Sequence, residues 1–167
     1  GGAYEAVTHL IDCGHRRIGI IAGRLEVSTG AERMAGYERA LREHDIPIDE
    51  ALTRSANFSR SLAYQKTTDL LKSSDPPSAL FVCNNTMTLG ALAAMSELGL
   101  KVPDDVSVVG FDDTEWAALM DPPLTVVSQP VKELGTKATE ILIRRIRAGS
   151  VKKTDRKSTR LNSSHIT

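Results

Sequence analysis

The chain has 167 residues, with 21 Lys plus Arg against 21 Asp plus Glu, 41% apolar and 4% aromatic residues, the balance of a globular α/β-sized chain rather than of a collagen or a charged tail. Residues 155–167 hold Arg156, Lys157 and Arg160 against one acid, so residues 1–154 carry 18 basic and 20 acidic side chains, a net −2. A faintly acidic body offers no footprint for a phosphate backbone, and no run approaches the roughly 18 apolar residues of a membrane span.

In chain order, Ala3, Ala6, Val7, Leu10 and Ile11 share one helical face, and Gly14 is placed to stop that helix. Residues 17–22 (RIGIIA) are apolar on both sides, as a strand buried between two helix layers must be. A loop at 23–29 leads to a helix marked by Met34, Tyr37, Ala40 and Leu41 that ends before Pro47. Further units are a weaker strand at 52–56, a helix at 62–71, a strand at 78–83 (SALFVC), a helix at 87–98 closed by Gly99, and a strand at 106–111 (VSVVGF). Four strand–helix units joined by short loops predict an α/β fold, a doubly wound parallel sheet with right-handed crossovers. After Asp113 the alternation breaks at Pro122 and Pro123. An extended run at 124–129, read as leaving for another sheet, precedes an amphipathic helix from Val131 to about Arg147.

Cys13 and Cys83 lack metal-ligand spacing and read as reduced packing residues of a cytoplasmic protein. The start at Gly1, running at once into a helical pattern, reads as cut. The final stretch 155–167 (DRKSTRLNSSHIT) has neither helical nor strand period; it resembles the translation of a sequencing adaptor and is expected to be disordered read-through.

In an open parallel sheet, ligands bind at the carboxyl ends of the strands, where loops and helix N-termini converge. The four predicted strands are followed by Ser28, Thr29 and Arg33; by Asn57 and Phe58; by Asn84 and Asn85; and by Asp112 and Asp113. This set offers directional donors and acceptors plus one aromatic face, which suits a small polyhydroxylated or heterocyclic ligand. Singly, each has a plain alternative: Arg33 as a surface residue, Phe58 as packing, one of Asn84 and Asn85 as a helix cap, the aspartates as turn formers. Catalysis has less support. Asp112 and Asp113 resemble a magnesium-binding strand end, but no G-x-x-x-x-G-K-S/T loop accompanies them. Cys83 ends an apolar run with none of His9, His15 or His44 predicted beside it, and His15 precedes the first strand, at the end opposite the pocket. No metal, cofactor or enzymatic activity is expected.

The runs HLIDCGHRRI at 9–18, RMAGY at 33–37, NNTMTLGAL at 84–92, VPDDVSVVGFDD at 102–113 and PPLT at 122–125 closely resemble the LacI/GalR family of bacterial transcriptional regulators. That family places a DNA-binding helix-turn-helix before a two-lobed effector-binding core similar to periplasmic sugar-binding proteins, and this chain resembles the second half of the core. The resemblance implies a helix of the N-terminal lobe at 1–13, the C-terminal lobe at 14–113, and a crossover followed by an N-terminal-lobe helix at 114–154. It implies effector contacts at Thr29, Arg33, Asn84 and Asp112, an aromatic contact at Phe58 and a polar crossover contact at Gln129. It further implies a homodimer, a sugar-like effector, and operator DNA bound through the separate N-terminal domain. A periplasmic sugar-binding protein of a transport or chemosensory system is the alternative. One departure is Asn84-Asn85 where the family usually has Asn-Asp, which removes an acceptor-only carboxylate. Trp116 reads as packing rather than pocket rim.

Overall fold

A computed structural model describes residues 1–147. The stretch 155–167 and the end of the expected 114–154 segment lie outside the described residues. The elements are α1 (Gly2–Asp12), β1 (Ile18–Ala22), α2 (Ser28–Glu43), β2 (Thr53–Ser55), α3 (Arg60–Leu71), β3 (Ala79–Val82), α4 (Asn85–Glu97), β4 (Ser107–Phe111), β5 (Thr125–Val127) and α5 (Val131–Arg147), with short 3-10 turns at Glu50–Leu52 and Glu115–Leu119. The strands form one parallel sheet in the order β2-β1-β3-β4-β5. This is the predicted doubly wound topology, with α1 packed beside α2 and α3 beside α4, as right-handed crossovers require.

The local reasons are legible. Gly14 adopts φ +96° and closes α1, its N–H donating to the Ile11 carbonyl at 2.9 Å while the His15 N–H reaches the Leu10 carbonyl at 3.1 Å. All residues of β1 and β3 are buried, matching their two-sided apolar sequences. Tyr37 seats α2 on the sheet: its ring is buried and its hydroxyl donates to the Ile18 carbonyl at 2.8 Å. Burial also raises that phenol above its ordinary range, so it stays a donor. On the other face a Cβ at Gly90 of α4 would overlap the Arg60 carbonyl, so only glycine lets α3 and α4 approach so closely.

Two expectations are corrected. The extended run does not leave for another sheet: β5 pairs parallel with β4, Val126 opposite Gly110 and Val127 opposite Phe111. The Glu115–Leu119 turn, with Ala117 buried and its carbonyl accepting from the Leu124 N–H, brings the chain back to the sheet edge without a full helix. Nor is the expected boundary after residue 13 a packing boundary. Ala3, Ala6, Val7, Leu10 and Ile11 lie in the same core as Ile18, Tyr37 and Phe111, so α1 belongs with the sheet it precedes. By contrast α5 has no buried residue, and Val131, Ile141, Leu142 and Ile146 are exposed. Trp116 is half-buried against the core of this sheet.

At the amino ends of the strands, His15 bridges the Ser78 hydroxyl (Nδ1, 2.9 Å) and the Ser107 hydroxyl (Nε2, 3.0 Å), joining the starts of β3 and β4 to the lead-in of β1. It is structural and far from the opposite edge. Burial lowers its pKa below the ordinary 6.5. The unfolded chain therefore takes up this proton first, so the contribution is complete above pH 6.5 and is lost as pH falls through the lower folded value. We expect the thermal midpoint of the chain to drop as pH falls below about 6.5, with a smaller drop in His15→Asn; equal pH dependence in both would remove His15 from the account. Cys83 is buried beyond β3 and its thiol is pushed up to about 12 by desolvation, whereas Cys13 is exposed. Iodoacetamide at pH 8 should alkylate Cys13 alone in the folded chain and both cysteines after denaturation; native-state labelling of Cys83, read by mass spectrometry, would contradict this packing.

Candidate functional site

Every strand of a parallel sheet ends at the same edge, so the loops after β1, β3, β4 and β5 meet there. Arg33, one turn into α2 from Thr29, spans this edge. Its guanidinium donates to the backbone carbonyl of Cys83 after β3, stands 3.9 Å from the Asp112 carboxylate after β4, and lies over the Phe111 ring with Cζ 3.7 Å from the centroid. The same Asp112 oxygen accepts a hydrogen bond from the Gln129 side-chain amide after β5. The Arg33 side chain is 13% exposed and that of Asp112 30%. One cationic and one anionic group thus share a half-dry site, each retaining capacity for further hydrogen bonds.

Thr29, Arg33, Phe111 and Gln129 line one open cavity of about 560 Å³, together with Tyr4 of α1 and Leu134 of α5. Arg39, which also lines it, covers the Tyr4 ring at 4.5 Å. Helix α2, whose Thr29 lines this space, has no side-chain cap at its N-terminus. Asp112 is joined to the cavity through Arg33 and Gln129. The other two predicted residues, Asn84 and Phe58, do not line it. Asn84 caps α4, its Oδ1 accepting from the Met87 N–H at 2.8 Å, which is the capping alternative foreseen for one of the pair. Phe58 lies against the end of β1, where a Cβ on Gly23 would overlap its ring.

Among the described residues, three of the four non-glycine residues with positive φ, Asn57 (51°), Phe58 (60°) and Asp112 (80°), sit at this edge. For a bulky residue such as Phe58 that conformation costs on the order of 1–3 kcal/mol, and strain of this kind concentrates where a side chain must be aimed. The sequence did not single out Phe111 or the Cys83 carbonyl. Phe111 counted as the last strand residue; the available signal was an aromatic directly before the carboxylate pair. The carbonyl has no signal in sequence at all. Asp113 is exposed and Asn85 bonds locally with Thr86 at 3.2 Å, so neither joins the network. Asp112 already serves a guanidinium and an amide, and no group of three potential metal ligands exists among the described residues. Nor is any helix among them long and apolar enough to cross a membrane.

The sequence matches the periplasmic binding protein-like domain family over residues 7–163. It is 41% identical over 145 residues to the HTH-type transcriptional repressor PurR of Haemophilus influenzae strain PittEE, an alignment covering 87% of this chain and 43% of that protein. Among solved structures it is similar to the transcriptional regulator CelR–cellobiose complex, with a TM-score of 0.84 and 35% identity over 91% of this chain and 46% of that one. It is also similar to the lac repressor dimer bound to operator and the anti-inducer ONPF, with a TM-score of 0.79 and 34% identity over 89% of this chain and 51% of that one. The chain therefore spans about half the length of these relatives, and it belongs to the periplasmic binding protein-like domain family, within which it resembles the LacI-type transcriptional regulators.

Proposed function

We infer that these residues are the effector-sensing part of a LacI/GalR-type DNA-binding regulator, cytoplasmic and homodimeric, whose operator is bound by a helix-turn-helix domain outside this sequence. The observation that carries this reading is Arg33, held at the carboxyl edge between Asp112, the Cys83 carbonyl and Phe111. Thr29 and Gln129 line the space in front of it. Because Asp112 balances the guanidinium, the site is locally neutral and favours a neutral, hydroxyl-rich molecule, a sugar or sugar derivative, over an anion. Arg33 donates, Asp112 accepts, Thr29 and Gln129 do either, the Asn84 amide donates, and the Phe58 ring covers an apolar face.

In this reading residues 1–127 are one lobe, and α5, with its exposed apolar face, belongs to the second. An effector touching both lobes stabilises one interlobe angle, and its differential affinity for the two angles is the whole of the signal. The relatives named above are regulators, one complexed with cellobiose and one a dimer on its operator, which favours a regulator over a transport receptor. No catalytic step is assigned: the Cys83 thiol stays protonated at neutral pH.

Calorimetry of the complete protein against neutral mono- and disaccharides, cellobiose included, tests this. We expect binding by at least one sugar, and a loss of about 1.5–3 kcal/mol on Arg33→Ala, the usual worth of a hydrogen bond to a charged group. Unchanged affinity in that variant, or binding only of anionic ligands, overturns the assignment.

A further inference from the structure

We propose that Phe111 is the positioning residue of this site: its ring holds the Arg33 guanidinium in one plane, so that the arginine meets a ligand with a fixed edge. The inference rests on the effector-pocket reading for its consequence, though not for its geometry. Arginine is a long side chain with many rotamers, and freedom that must be lost on binding weakens affinity. Here that freedom is already spent. The Phe111 ring supports the flat face, with Cζ 3.7 Å from the centroid, while the Cys83 carbonyl takes one edge and Asp112 flanks another at 3.9 Å.

The ring can do this because it is itself fixed. Phe81 pairs with Val109 in register, so Phe111 lies two residues further along the adjacent strand on the same face. The two rings meet edge to face, centroids 6.3 Å apart at 63°. On another side α1 closes in through Gly2, where a Cβ would stand 3.4 Å from the Phe111 ring. A buried β3 aromatic thus orients a β4 aromatic, which orients an α2 guanidinium. Arg33 is also only 13% exposed, and desolvation strengthens the attraction of a cation to a ring face.

The test uses the complete protein, ¹⁵N-labelled, with Phe111→Leu, Phe111→Tyr and a protein carrying pentafluorophenylalanine at position 111, which keeps the ring's shape and inverts its charge distribution. Arg33 side-chain N–H signals, assigned by their absence from Arg33→Lys, should be shifted upfield by the ring in the wild type and in Phe111→Tyr, and not in Phe111→Leu. Calorimetry with the neutral sugar panel should show about tenfold weaker binding for Phe111→Leu and for the fluorinated protein, with recovery in Phe111→Tyr, the size expected for a desolvated cation–ring contact. The fluorinated protein keeps the test decisive should Phe111→Leu fail to fold. Ordinary Arg33 shifts in the wild type, or wild-type affinity in the fluorinated protein, overturn the proposal. A wild type that binds none of the sugars yet shows the shifted signals supports the positioning role and overturns the sugar-binding reading.

Discussion

Among the described residues all five strands run the same way, and that single constraint arranges the rest. A parallel sheet must return each strand to its starting edge through a crossover, which covers both faces with helices and leaves one edge where five carboxyl ends meet. The amino edge is then free for structural ties, which is where His15 bridges Ser78 and Ser107. The carboxyl edge collects groups from α2, β3, β4 and β5 that are far apart in sequence.

At that edge the costly element is the guanidinium of Arg33. Removing a charge from water without compensation is among the most unfavourable steps a fold can take. The compensation comes from three groups at two strand ends: the main-chain carbonyl after β3, and the aromatic face and carboxylate that end β4. Asp112 in turn is held by Gln129, and its own N–H donates to the Val127 carbonyl at 3.0 Å. The pairing of β5 with β4 is therefore what delivers both the carboxylate and its amide partner to the site. The arrangement is preorganised, and preorganisation reduces the ordering cost that a small ligand must otherwise meet.

Alternating apolar runs and turn residues placed β1 to β4 and all five helices within a few residues of their positions, because two-sided burial and helical periodicity leave direct marks on sequence. The strand-end rule placed Thr29, Arg33 and Asp112 at one edge for the same reason. Misplacement occurred where a short element has to choose a partner. Thr125–Val127 is three residues long, with nothing in its composition to say which sheet it joins; the buried Val126 and Val127 and the turn at Glu115–Leu119 decide it. Helix α1 carries an apolar face, but the identity of the surface that covers it is a property of α2 and the sheet, not of α1.

The sequence by itself determined the class of fold, the edge where the strand-end loops converge and the residue types offered there, since these follow from periodicity and chain order. Tertiary structure alone decided which of those residues act together. Asn84 is bound to a helix end, Phe58 lies against the end of β1, and Gln129 bonds to Asp112, which flanks an Arg33 held by the Phe111 ring and a backbone carbonyl. The reason is that ring stacking, carbonyl acceptance and strand pairing depend on distances between elements, and no local run of residues encodes a distance to another run.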